Sequence, residues 1–154
     1  MHIELEPALA AHKPYLRSLL SDYLVEFEQY GGSGPDYPYF DAYWEQPDHR
    51  WPILIQLEGR CVGFAFVNTW SPSGKGTDFA IAEFYVVPDA RRHGVGLEAA
   101  KRVLNSRSGQ WELSIMERNA PAQKFWPRVI EAVGAEDVER IVFDEVVIYR
   151  FSMG

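Results

Sequence analysis

The sequence predicts one mixed α/β domain spanning residues 1–154. Three observations carry that prediction. Apolar residues switch between helical and strand periods along the chain. Three strand-like segments joined by short turns occupy its middle. A glycine-bearing turn then links strand to helix in the stretch IAEFYVVPDARRHGVG, Ile81 to Gly96.

Taken in order, Ile3 to Leu5 suits a short first strand. From Pro14 to Tyr30 apolar residues fall at helical spacing (Tyr15, Leu16, Leu19, Leu20, Tyr23, Leu24, Phe27), with Pro14 suited to a first turn. Gly31-Gly32-Ser33-Gly34-Pro35 stops this helix. The aromatic stretch DYPYFDAYW, Asp36 to Trp44, follows. Strands are expected over Trp51 to Leu57, Cys61 to Trp70 and Asp78 to Val87, the first two joined by a hairpin at Glu58-Gly59-Arg60. Cys61 falls in an apolar strand and reads as a small core residue. A helix over Gly94 to Arg107 places Ala99, Ala100, Val103 and Leu104 on one face. Trp111 to Met116 reads as a strand and Asn119 to Val133 as a helix. Pro127 is expected to kink or break that helix and to reposition Trp126. Val138 to Phe143 and Val146 to Phe151 close the chain as an antiparallel pair. No repeat, low-complexity tract or linker interrupts this order.

Composition narrows the function classes. The net charge of -7 argues against non-specific nucleic-acid binding, which needs a basic surface. One cysteine excludes an internal disulfide and a cysteine-based zinc site. His2, His12, His49 and His93 show no ligand spacing, so no metal is expected. No apolar run approaches a membrane span and no apolar segment opens the chain. The expectation is a cytoplasmic protein with neither membrane nor nucleic acid as partner.

The Gly94-Val95-Gly96 turn points to a phosphate-bearing ligand. Glycines at a strand-to-helix junction let main-chain N–H groups face outward at the positive end of the helix dipole. A dinucleotide fingerprint is a poor match, although Gly94-Val95-Gly96-Leu97-Glu98-Ala99 and the later Glu117 fit its letters. Six residues separate Val87 from Gly94, and the preceding strands are hairpin-like. A P-loop needs Lys-Ser/Thr after its last glycine, where Leu97 stands.

Arg91-x-x-Gly94-x-Gly96, after a Val-Val-Pro turn, resembles the acyl-CoA pyrophosphate loop of the GNAT superfamily of N-acetyltransferases. Some 25 residues on, Asn119-Ala120-Pro121-Ala122-Gln123-Lys124-Phe125-Trp126 is similar to that superfamily's second signature, Asn-x-x-Ala-x-x-Phe-Tyr. The resemblance, to a bacterial-type branch, covers nearly the whole chain. It implies a mostly antiparallel sheet of six to seven strands, splayed between the fourth and fifth, with about four helices.

It also implies roles. The strand ending at Val86 and Val87 would splay from Trp111–Met116, leaving main-chain groups around Tyr85 to Val87 for the pantetheine arm. Amides from Arg92 through His93, Gly94, Val95 and Gly96 would hold the pyrophosphate, with Arg91 and Arg92 adding charge. Asn119 would touch pantetheine or cap its helix, and Phe125 would pack beside the cofactor. Glu83 is the candidate base for an incoming ammonium, and alternation along a strand places it on one face with Ile81 and Tyr85. Trp126 stands where the family often has the tyrosine that protonates the leaving thiolate, and indole has no such proton. Tyr85 or Tyr149 could replace it. Tyr37, Tyr39, Tyr43 and Trp44, with Asp36 and Asp41, suggest an aromatic, acidic wall for a cationic amine.

The implied reaction moves an acetyl group from acetyl-CoA to a primary amine, small and cationic or aromatic, by direct attack in a ternary complex. Three alternatives stay open: a non-catalytic acyl-CoA-binding or sensing module, a protein N-terminal or lysine acetyltransferase, and an interaction protein that keeps only the fold. A homodimer is compatible with the exposed edge strands such folds carry.

Overall fold

A computed structural model describes residues 1–32 and 34–154. Seven strands form one sheet: β1 (Ile3–Pro7), β2 (Arg50–Leu57), β3 (Arg60–Asn68), β4 (Phe79–Val86), β5 (Gly109–Met116), β6 (Glu136–Phe143) and β7 (Val146–Met153). The helices are α1 (Lys13–Glu28), the short α2 (Ala42–Glu45), α3 (Val95–Asn105) and α4 (Ala120–Ala132). Sheet order is β1-β2-β3-β4-β5-β7-β6. All neighbours are antiparallel except β4 and β5.

The tight hairpins follow from local chemistry. Glu58 and Gly59 both take positive φ, 50° and 78°, which is the twist a two-residue β2–β3 turn demands. Asp144 and Glu145 do the same between β6 and β7, at 49° and 65°. Gly63 on β3 is required by close approach, since a Cβ there would lie 2.0 Å from the Tyr85 carbonyl oxygen.

Helices cover both faces of the sheet. On one, Leu16, Leu19, Leu20 and Tyr23 of α1 pack on Phe64 and Phe66. On the other, Ala100 and Val103 of α3 and Val129 and Ile130 of α4 pack with Trp111 and Phe151. Cys61 is half-buried at the margin of the α1 layer, not inside the core, because it opens β3 beside the exposed hairpin turn.

Two sequence expectations change. Pro127 does not break α4, whose helical run is continuous from Ala120 to Ala132. An interior proline costs about 3 kcal/mol. Buried Trp126, Val129 and Ile130 on either side of it anchor the helix to the sheet and offset that cost. The second change is in β4. Phe66 pairs with Glu83, yet its neighbour Val67 pairs with Ile81, so Ala82 is an extra bulged residue. The bulge reverses the alternation. Ile81 points into the α3–α4 layer, whereas Glu83 reaches hydroxyls of α1 and the aromatic segment, and Tyr85 packs in the α1 layer. Glu83 therefore shares a face with Tyr85 but not with Ile81.

Candidate active site

The parallel pairing of β4 with β5 runs only from Phe79↔Trp111 to Ile81↔Leu113. Beyond the Ala82 bulge the strands part, and the gap is a cleft. Its inner end is a cavity of about 80 Å³ bounded by Glu83, Ser114 and Met116. A larger cavity of about 560 Å³ continues outward past Tyr85, Val86, Arg91, Gly94 and Gly96. Tyr23, Phe84, Asn119 and Trp126 line both. The size of the outer cavity falls within the range of small-molecule sites.

Glu83 sits at the inner end with both carboxylate oxygens engaged. The Tyr23 hydroxyl donates to Oε1 at 2.8 Å and the Tyr37 hydroxyl to Oε2 at 2.9 Å. Burial raises its carboxyl above the ordinary value, and the two phenol hydrogen bonds pull the other way. Burial, then the Glu83 charge, raises the Tyr23 and Tyr37 phenols, so both remain protonated donors. The structure thus sets a carboxyl whose proton affinity burial raises at the inner end of the cleft, a group able to accept a proton there.

The turn before α3 fits a phosphate. His93 and Gly94 take consecutive left-handed conformations, at φ 59° and 76°. Among the described residues, the amides of Arg92, His93, Gly94 and Gly96 find no hydrogen-bond acceptor within the chain. Consecutive left-handed residues with free amides at a helix N-terminus make a concavity of the kind that can accept an anion. Gly96 allows contact with the ring of Phe125, which a Cβ would meet at 3.4 Å. Phe125 in turn stands edge-on to Trp126 at 4.9 Å. Arg92 and His93 are exposed beside this turn. Arg91 is committed to the protein. Its guanidinium makes two hydrogen bonds to Glu26, and its Nε donates to the Val86 carbonyl at 2.7 Å.

The main chain of Val87, expected to be freed by the splay, is paired instead. The Val87 amide bonds the Val62 carbonyl at 2.8 Å, and its own carbonyl accepts from Ala90 at 2.9 Å, so Val87 has no free polar group. The cause is continued β3 pairing after β5 has departed. Asn119 caps α4, accepting from the Ala122 amide at 3.1 Å, while it lines the cleft.

Of the four aromatic residues expected in the acceptor wall, Tyr37 alone bonds Glu83. Tyr43 is buried, stacked on Phe66 at 4.1 Å, and its hydroxyl accepts from Asn68 Nδ2. The Trp44 indole donates to the Ala8 carbonyl, and Tyr39 is exposed under the Arg50 guanidinium. The chain's own cations answer this wall: Lys13 sits over Trp44 and pairs with Asp41 at 2.7 Å. Asp36 is exposed.

Tyr85 borders the outer cavity, its ring 5.4 Å below Arg91. Burial, then the Glu26 charge, raises its phenol, and Arg91 opposes them. Sequence reading missed Tyr23 and Glu26 as cleft residues. Tyr23 was visible only as one more member of the apolar stripe of α1, and its hydroxyl among leucines was the available signal. Among the described residues no three His, Cys, Asp or Glu side chains cluster as metal ligands. No helix among them is long and apolar enough to cross a membrane.

Comparison with known proteins agrees with this architecture. A sequence profile described as the acetyltransferase (GNAT) family matches residues 16–130. No relative is found among curated protein sequences. The fold is similar to that of an acetyltransferase from Thermus thermophilus, with a TM-score of 0.70 at 17% identity over 99% of this chain and 98% of that one. An acetyltransferase of the GNAT family from Streptococcus agalactiae also has a TM-score of 0.70, at 12% identity over 99% and 95% of the two chains. One from Bacillus cereus has 0.66, at 14% identity over 100% and 99%. The profile spans most of the chain, and these solved structures share its fold over nearly their whole length. The chain belongs to the GNAT acetyltransferase family.

Proposed function

We propose that the protein transfers an acetyl group from acetyl-CoA to a primary amine, small and cationic or aromatic, by direct attack in a ternary complex. The observation that carries the proposal is the Glu83 carboxylate, clamped by two phenols at the inner end of the β4–β5 cleft. Bound acetyl-CoA would supply an activated acyl group. The free amides of Arg92, His93, Gly94 and Gly96 would hold its pyrophosphate, whereas the Val95 amide bonds the Arg92 carbonyl at 3.4 Å, and the outer cavity walls from Val86 to Phe125 would hold its arm. Glu83 takes the proton that an incoming ammonium must lose before nitrogen can attack. Main-chain N–H groups of β4 directed into the cleft would polarise the acyl carbonyl. The Tyr37–Glu83 bond supports an acceptor side beside the aromatic segment.

Trp126 favours a second reading, a non-catalytic acyl-CoA-binding module, because indole stands where the family often has an acid. One plate separates the two. Thermal shift with acetyl-CoA reports binding, and thiol release across a panel of small amines, a peptide N-terminus and a lysine peptide reports turnover. Stabilisation with thiol release from small amines is the expected result. Release confined to the peptides would reassign the acceptor. Stabilisation without release from any acceptor would establish the binding module.

A further inference from the structure

We propose that Tyr23 is the proton donor to the departing thiolate, forming with Glu83 a closed proton circuit in place of the acid that Trp126 cannot supply. This rests on the amine-acetylation reading above. Six side chains line both the inner and outer cavities: Tyr23, Phe27, Phe84, Asn119, Ala122 and Trp126. Only Tyr23 among them carries an O–H group, so it alone can donate a hydroxyl proton where the two cavities meet.

Its hydroxyl already donates to Glu83 Oε1 at 2.8 Å. Other phenols lack this placement. Tyr37 bonds Glu83 but borders neither cavity. Tyr85 borders only the outer one and makes no bond to Glu83, and Tyr149 borders neither. Tyr23 thus stands between the base and the channel along which a thioester would lie.

The circuit balances. A nitrogen–carbon bond forms between amine and acyl group, and the carbon–sulfur bond breaks with its electron pair on sulfur. An ammonium sheds two protons: Glu83 passes the first to water before attack, and Glu83 Oε1 then receives the second as nitrogen bonds to carbon. Tyr23 gives its own proton to sulfur and recovers one from Glu83, so one proton passes from nitrogen to sulfur and both side chains end as they began. Charge sets the order of events. Burial first, and then the charge of ionised Glu83, holds the Tyr23 proton in place, and the second of these holds disappears once Glu83 is protonated.

The test compares Tyr23→Phe with Tyr37→Phe, since each removes one phenol from the same carboxylate. Thiol release with the best amine gives kcat, and calorimetry gives the acetyl-CoA Kd. Tyr23→Phe is expected to lower kcat by about 100-fold or more, with Kd within about twofold of wild type, whereas Tyr37→Phe lowers kcat less than about tenfold. Equal losses in the two variants would mean that Tyr23 merely holds Glu83, and would overturn the circuit. Replacing Tyr23 with 3-fluorotyrosine keeps the shape and makes the phenol more acidic. The alkaline limb of kcat then moves to lower pH, and an unmoved limb overturns the proposal even if Tyr23→Phe fails to fold. A wild-type protein that binds acetyl-CoA yet releases thiol to no amine overturns the acetylation reading itself, and the circuit with it.

Discussion

Arg91 and Glu26 close on each other through a two-pronged ion pair, Nη1 to Oε1 at 2.7 Å and Nη2 to Oε2 at 2.6 Å. The pair ties α1 to the turn that opens α3, and it changes what Arg91 offers an anion. Much of its charge is answered by a carboxylate that itself lines the outer cavity. Glu26→Gln should therefore tighten acetyl-CoA binding by about threefold at low salt, with the gain shrinking as salt rises. Calorimetric titration at two ionic strengths checks this. The stability cost should stay below about 1 kcal/mol, because the Arg91 and Glu26 side chains are 40% and 33% exposed.

Glu83→Gln should cut thiol release by about 100- to 1,000-fold, the range removed with a general base. In wild type, kcat/KM should rise with pH through an acidic limb placed above 4.5, the ordinary carboxyl value, because burial raises this group. Stability has the opposite sign. A folded-state carboxyl raised above its unfolded value contributes stability that is full below 4.5 and is lost as pH rises through the raised value. Glutamine does not titrate, so the variant's melting temperature should gain on wild type as pH rises from 4.5. Melting curves across that range, with variant and wild type side by side, would show it.

Gly94→Val should abolish the stabilisation that acetyl-CoA confers. At φ 76° this residue begins α3 in a left-handed conformation, and a β-branched residue there is strained by about 1–2 kcal/mol. Relaxing the strain turns the neighbouring amides away from a common anion. A ligand at a hundred times its Kd adds about 2.7 kcal/mol of stability to a competent site. Loss of that shift in a variant that still melts cooperatively is the expected outcome.

Glu112 is fully buried on β5 and ion-paired with Arg150 on β7. Ser71 and Ser73 hydroxyls and the Ser73 amide complete its shell at 2.7–2.9 Å. Removing one partner of a buried pair costs about 3–5 kcal/mol, so Glu112→Ala should lower the melting temperature by about 10 °C. Glu112 pairs with Ala80, on the closed side of the splay. Acetyl-CoA affinity at a temperature where the variant is folded should therefore be unchanged, by titration.

Most of the fold was legible in the sequence, because period and punctuation act locally. The apolar stripe from Leu16 to Phe27, the Glu58-Gly59 turn and the spacing between Gly94 and Asn119 each state a conformation that few neighbours could override. The β4 bulge was not legible. Ala82 is unremarkable in a strand, and nothing near it announces two residues facing one partner. Alternation therefore misassigned the face of Ile81 relative to Glu83. Pro127 misled for the opposite reason, since a local rule gave way to packing on both sides of it.

The site divides in the same way. The turn before α3 is written in contiguous residues, His93 to Gly96, whose backbone preferences travel with the sequence. The clamp on Glu83 is not. Tyr23 and Tyr37 lie 60 and 46 positions from Glu83, and only the sheet, the bulge and the packing of α1 bring their oxygens within 2.9 Å of its carboxylate. Sequence alone determined the order of elements and the left-handed glycine turn that opens α3, because those depend on neighbouring residues. Tertiary structure alone decided which carboxylate faces the cleft and which hydroxyls hold it. A hydrogen bond between distant residues exists only after the core has fixed both ends.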